Sequence, residues 1–284
     1  MALTPDVEQS PSPQDESYRR LLGIIASHKA VAVAFSGGVD SSFLCKAAQD
    51  ALGDKAIAIT MVSPMMPTAD LETAHEIAAQ VGIRHLLVED KELDEPVAAN
   101  PINRCYHCKK IEFGRIAELA REHGITVVLD GSNLDDEGDY RPGLTALAEQ
   151  GVCSPLRLAG LRKADIRALS RELGLPTWDK AASACLGSRV PYGDRITIEK
   201  LRSIDAAEQV LRKHGFRQCR VRHHGDIARI EVAPEERSAF FNLELLDTVS
   251  RQIKEAGYRY VCLELEGYAM GSLNRVLKTP AHHA

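Results

Sequence analysis

The chain has 284 residues, 44% hydrophobic and 26% charged, with a formal net charge of −5. That length predicts two globular domains, and the acidic balance argues against nucleic acid as the main partner, because phosphate backbones need a basic face. No apolar run is long enough to span a membrane, no N-terminal stretch resembles a signal peptide, and the seven cysteines fit reduced thiols in a cytoplasm better than a disulfide framework.

In chain order, residues 1–14 carry Pro5, Pro11 and Pro13 among polar residues and read as a disordered tail. A helix is expected over 15–27. The apolar run Ala30-Val31-Ala32-Val33-Ala34-Phe35 reads as a buried parallel strand. It ends in Ser36-Gly37-Gly38-Val39-Asp40-Ser41-Ser42, and a helix follows to Leu52. Further strands are expected at 55–62, 84–88 and 125–129, and helices at 67–81 and 105–123. Residues 90–103 read as a loop. Strands alternating with helices predict an α/β fold, a doubly wound parallel sheet, with ligands at the carboxyl ends of its strands. The loop at 36–42, residues 60–63 and Asp130-Gly131-Ser132-Asn133 are therefore expected to converge on one crevice. Residues 134–195 look less regular, with a short strand near Val152 and a helix over 163–173. The small-residue stretch 181–189 reads as a functional loop between domains. From Thr197 a helix, a hairpin with a His224-Gly225 turn, a helix and a last strand at 259–263 predict a second, smaller α+β domain. The expected divisions are 1–14, 15–180, 181–195 and 196–278.

Strand, glycine turn and helix N-terminus form a phosphate-binding arrangement. The glycines let successive N–H groups point at one spot, and the helix adds partial positive charge. Without a Gly-Lys-Ser/Thr the stretch is not a Walker loop. It resembles the pyrophosphate-binding loop (PP-loop) of the ATP pyrophosphatases, which cleave ATP between its α and β phosphates. The competing reading is a tight turn with no ligand.

Cys105 and Cys108, three apart at a helix start, share a face near the positive helix end, a placement that suits thiolates, metal ligation or redox work. Two incidental thiols are the bland alternative. Cys185, in the junction loop with Arg189 nearby, is the natural third sulfur, and a neighbouring cation lowers a thiol pKa. Cys45, Cys153, Cys219 and Cys262 read as core residues. Arg220 and Arg222 share one face of a second-domain strand, facing either an anion or solvent. Arg104, Lys109, Arg141 and Arg189 are further cations beside the site. The acidic cluster of Asp135, Asp136, Glu137 and Asp139 is either a Mg²⁺ site or a solvated loop. The His223-His224 pair reads as structural.

Together these segments resemble the LarE-type ATP-dependent sacrificial sulfur transferases of nickel-pincer nucleotide synthesis for lactate racemase. The resemblance rests on residues 36–42, 104–109, 130–133, 139–143, 184–189 and 220–231. It implies adenylation of the carboxylates of pyridinium-3,5-biscarboxylic acid mononucleotide and their conversion to thiocarboxylates. It implies ATP contacts at Ser36, Gly37, Gly38, Asp40, Ser41, Ser42, Met61 and Gly131, with cofactor contacts also at Arg104, Lys109, Arg141, Ser188 and Arg189. Cys185, Arg220, Arg222 and Glu231 are the expected catalytic group, the arginines clamping the anionic substrate. In one branch of the family the sulfur is that of a cysteine, here Cys185. In another, three cysteines hold a [4Fe-4S] cluster, and the presence of Cys105 and Cys108 beside Cys185 favours that branch. Mg²⁺ is expected with ATP, weakly placed at Asp40 and Asp136. The sulfur source is open, and the implied assembly is a homo-hexamer. Rival readings are a PP-loop tRNA thiolase, an amide-forming synthetase and a nucleotide-binding sensor.

Overall fold

The computed structural model describes residues 13–136, 142–269 and 271. After α1 (Pro13–Ala26), the run at 30–35 forms β1 (Val31–Ala34) at the centre of a four-stranded parallel sheet. Helix α2 (Val39–Leu52), β2 (Ala56–Val62), α3 (Thr68–Val81) and β3 (Arg84–Glu89) follow. The one-turn α4 (Glu95–Ala98), α5 (Arg104–Glu122) and β4 (Val128–Leu129) complete the sheet, in the order β3-β2-β1-β4. Side chains alternate along each strand. Val31, Val33, Ala56 and Ala58 therefore pack towards α1, α2 and α3, while Ala32, Ile57 and Ile59 pack towards Phe113, Ile116 and Ala120 of α5. Both faces are covered by helices, which is the doubly wound arrangement expected.

Several expectations are corrected. The expected loop at 90–103 contains α4, opened by Pro96. The expected strand at 125–129 is only two residues long, and the strand near Val152 shrinks to a single bridge between Leu129 and Cys153. Residues 142–172 hold three helices, α6 (Pro142–Glu149), α7 (Pro155–Leu158) and α8 (Lys163–Glu172). The first two are too short to show helical periodicity, although each carries the N-terminal proline that favours a helix start.

A second sheet follows, with α9 (Ile198–Lys213), β5 (Cys219–His224), β6 (Ile227–Val232), α10 (Leu243–Glu255) and β7 (Tyr260–Leu263). Strands β5 and β6 are antiparallel, and β7 joins β6 in parallel. The hairpin turns at Gly225-Asp226, one residue later than expected, with Gly225 at φ +61°. Val221, Ala228, Ile230 and Val232 pack on Leu211, Val249 and Ile253. Cys219 is buried as expected, but Cys262 is exposed, because alternation along β7 turns Val261 and Leu263 to the core and Cys262 away from it.

One polar contact inside the first sheet fixes the end of β1. Thr60 Oγ1 donates to the Phe35 carbonyl at 2.7 Å and lies 2.7 Å from His85 Nε2, so the imidazole N–H donates to the hydroxyl. Burial, and then the neighbouring His75, push the His85 pKa down to about 4. An unfolded histidine takes its proton near pH 6.5. Between those values the unfolded chain binds the extra proton, so stability falls as pH drops from about 6.5 to about 4 and gains nothing from this group above that window. Urea midpoints measured across this range should decline with acidification, and less steeply in His85→Gln.

Candidate active site at the junction of the two sheets

The turn after β1 is braced by its own serines. Ser36 N–H donates to Ser41 Oγ at 3.3 Å, the two hydroxyls lie 3.1 Å apart, and Ser41 Oγ lies 3.3 Å from the Gly38 carbonyl. Gly37 has φ +68°, and a Cβ there would stand 2.5 Å from the Asp70 carbonyl oxygen of α3. A Cβ at Gly131 would stand 3.2 Å from Ser41 N. Only glycine lets α3 and the end of β4 close on the loop. The first bond closing a turn of α2 runs from Ser42 N to the Gly38 carbonyl, so the amides before it are available to an anion. The Ser42 hydroxyl is buried and has no partner among the described residues.

The carboxylates around this loop are mostly committed. Asp40 receives Lys163 Nζ at 2.5 Å and Asn133 Nδ2 at 3.5 Å. Asp130 holds Ser132 and Ser154. Asp136 accepts from Asn133 N at 2.9 Å, and Asp135 accepts from Lys163 N at 2.8 Å and from Arg162. Asp135 and Asp136 thus shape the loop into α8. Glu137, Asp139 and Arg141 lie outside the described residues. Met61 is half-buried on the α5 side of the sheet. Lys109 pairs with Glu112 at 2.9 Å and lies over Phe113.

Residues 181–189 cross from the first sheet to the second and are gripped from both. Ser183 Oγ donates to Asp70, and Lys180 Nζ reaches both Asp70 Oδ1 at 2.9 Å and the Gly37 carbonyl at 3.0 Å. From the second sheet, Arg220 donates to the Ala182 carbonyl, and Arg222 donates to that of Ser188 at 2.9 Å. Arg220 and Arg222 are buried, so the face they share is covered by this loop and is not solvated. Glu231 pairs with Arg222 at 2.7 Å and with Arg229 at 3.2 Å. Arg104, buried in the first turn of α5, donates to the Gly187 carbonyl at 2.9 Å and to Asn100.

Arg189 is buried and serves the loop itself. It donates to the carbonyls of Ala184 and Cys185 at 2.7 and 2.9 Å and to Ser188 Oγ at 2.8 Å. Its other nitrogens meet the fully buried Glu208 at 2.7 and 3.0 Å. Burial alone would raise the Glu208 carboxyl, but Arg189, with Arg220 and Arg212, holds it below the usual carboxylate range.

The same geometry brings Cys185 within electrostatic reach of Cys105 and Cys108. Cys108 and Cys185 border one apolar cluster with Met65, Leu186 and Ile111, and Cys185 acts electrostatically on both Cys105 and Cys108. The expectation of thiolates at a positive helix end is corrected for Cys105 and Cys108. Burial first, then Glu112 and Cys185, push the Cys108 thiol up to about 12. Desolvation and Cys185 also raise Cys105, against Arg104 and Lys109. Desolvation outweighs the helix dipole here. Among the described residues no set of three or more His, Cys, Asp or Glu side chains is grouped to hold a metal ion. Three cysteine sulfurs are the right donors for an iron–sulfur cluster, but they are not grouped around one in this arrangement.

Lys163, Lys180, Asp70 and Glu208 have no signature in the sequence. Each acts through a partner at least 19 positions away.

A glycine turn between a central parallel strand and a helix, facing the end of the neighbouring strand, defines the PP-loop class of ATP-using enzymes. The asparagine synthase family model matches residues 24–135, the segment that carries this turn. The chain is 40% identical to the pyridinium-3,5-bisthiocarboxylic acid mononucleotide synthase of Lactiplantibacillus plantarum, over 90% of this chain and 93% of that protein. It is 46% identical to an uncharacterised protein of Synechocystis sp., over 86% and 92% of the two chains. A tRNA-specific 2-thiouridylase of Azorhizobium caulinodans is 29% identical over 64% of this chain and 56% of that protein. The chain belongs to the family of the L. plantarum synthase and is an ATP-dependent sulfurtransferase.

Replacing Glu208 by Ala leaves Arg189 buried without its carboxylate. The expected loss is about 3–5 kcal/mol of stability, the usual penalty for stranding one partner of a buried pair. Urea unfolding measures it, and faster amide exchange over 184–189 should accompany it.

Proposed function

We propose that this enzyme adenylates the carboxylates of pyridinium-3,5-biscarboxylic acid mononucleotide and converts them to thiocarboxylates. The observation that carries this reading is the path of residues 181–189, tied at one end to the phosphate loop through Asp70 and running within electrostatic reach of Cys105 and Cys108 at Cys185. Kinship with the L. plantarum synthase supports the substrate.

The chemistry follows from the leaving group. A carboxylate oxygen is a poor one, so the substrate carboxylate attacks the α-phosphorus of ATP and pyrophosphate departs. Amides at the start of α2 receive the polyphosphate, and Mg²⁺ accompanying ATP offsets its charge. A sulfur nucleophile then attacks the acyl carbon and AMP leaves. Arg220 and Arg222 stand on the sheet face beneath the junction loop, and their charge suits a substrate carrying a phosphate and two carboxylates.

For the sulfur, we assign Cys105, Cys108 and Cys185 as ligands of a [4Fe-4S] cluster. When bound, such a cluster supplies an inorganic sulfide on the iron that lacks a protein ligand. Loading such a cluster would require the three thiols to close to one spot beside the apolar cluster of Met65 and Leu186 and to lose their protons. Exposed Phe241, Leu243 and Leu265 near the second sheet support self-association, for which we propose six copies, in a reducing cytoplasm.

Protein purified and reconstituted without oxygen should contain iron and sulfide and absorb in the visible. It should release pyrophosphate only with the pyridinium substrate and turn over more than once, and Cys105→Ser should abolish the repeated turnover. A colourless protein that turns over once and ends with dehydroalanine at Cys185 would remove the cluster and make Cys185 the sulfur source. Absence of substrate-dependent pyrophosphate release, or a gel shift with bulk tRNA, would remove the substrate assignment.

A further inference from the structure

Lys180 lies outside every motif that carried the sequence reading, yet its ammonium stands at the phosphate loop. Nζ is 3.0 Å from the Gly37 carbonyl oxygen and 2.9 Å from Asp70 Oδ1. An ammonium has three donors, and these contacts use two. The Lys180 side chain is 22% exposed, so it is partly shielded but reachable from the crevice. Asp70 is the shared anchor. Its other carboxylate oxygen accepts from Ser183, and its backbone carbonyl is the atom that a Cβ on Gly37 would strike. One buried carboxylate therefore ties the glycine turn, Lys180 and the loop that leads two residues on from Ser183 to Cys185.

A polyphosphate held by the amides of the glycine turn puts several negative charges close to Asp70. Lys180 is the cation already between them. Phosphate oxygens compete with the Asp70 carboxylate for it, and the like charges of Asp70 and phosphate repel. Transfer of the ammonium from carboxylate to phosphate removes one of the two side-chain ties that hold residues 180–183 on α3.

We propose that Lys180 is a polyphosphate ligand that exchanges between Asp70 and the nucleotide, so that filling or emptying the phosphate loop loosens or resets the segment carrying Cys185. This rests on the nucleotide reading of the loop given above. It assigns an order to the reaction. The sulfur-bearing segment is slack while polyphosphate is bound and drawn back to α3 once pyrophosphate leaves.

The test uses the full chain, with Mg-ATP and then Mg-pyrophosphate as probes, calorimetric titration for affinity and amide exchange over 181–185 for the loop. In the wild type both probes should bind and raise exchange in this segment. Lys180→Met should weaken both about ten- to a hundredfold, the usual range for one charge-assisted hydrogen bond, and should abolish the exchange response. Lys180→Arg should restore most of the affinity. Asp70→Asn should show raised exchange before any nucleotide is added and should bind Mg-ATP no more weakly than the wild type. If Lys180→Met does not fold, the Lys180→Arg and Asp70→Asn comparison carries the test. Unchanged ATP affinity in Lys180→Met, or a wild-type segment whose exchange ignores ATP, overturns the proposal and leaves the sulfurtransferase reading intact. A wild type that binds no Mg-ATP overturns both.

Discussion

A carboxylate with no access to water, Glu208 on α9, holds the reactive part of this enzyme in place. It meets Arg189 through two hydrogen bonds, receives Arg212 at 3.0 Å and accepts the Val221 amide at 3.1 Å. A buried carboxylate is costly unless its lone pairs are satisfied, and here four donors share it. Through Arg189 this reaches the carbonyls of Ala184 and Cys185. The second sheet is thus more than an appended unit, because its helix and first strand set the height at which Cys185 stands over the first. Thr68 of α3 adds a lateral tie, donating to Asp205 of α9 at 2.6 Å.

The thiol environment explains why the sulfur chemistry needs this support. Cys105 and Cys108 lie where desolvation favours the neutral form. A raised thiol pKa lowers the thiolate fraction, although Cys105 itself is exposed and Cys108 half-buried. Arg104, pinned to Asn100 and to the Gly187 carbonyl, is the nearby fixed positive charge. Asn100 itself sits at φ +53° and donates to the carbonyls of Pro191 and Asp194 at 2.7 and 3.0 Å, which closes the far end of the junction.

Much of this was legible from residue order. The glycine turn was, because phosphate binding needs several residue types in a short window after a strand. So was the shared face of Arg220 and Arg222, because strand alternation is strict. The covering of that face was not, since only the path of residues 181–189 decides it. Arg189 illustrates the limit. Residue order shows a cation near a cysteine, whereas folding spends that cation on a glutamate 19 positions later and on main-chain oxygens. The short helices α6 and α7 escaped because one or two turns carry no measurable period. The role of Cys262 was misjudged because which of the two alternating faces of β7 meets the core is decided by the helices packed on the sheet and not by the segment.

Arg220, Arg222, Arg189 and Arg104 all take hold of residues 182–188 by carbonyl oxygens. Every amino acid offers the same oxygen, so the grip at Ala182 and Ala184 does not read their side chains, whereas Gly187 is fixed by its contact with Met65 and Ser188 by its hydroxyl. The stretch before the cysteine is then permissive to drift at Ala182 and Ala184, and relatives can retune what lines the crevice there without disturbing how the segment is carried.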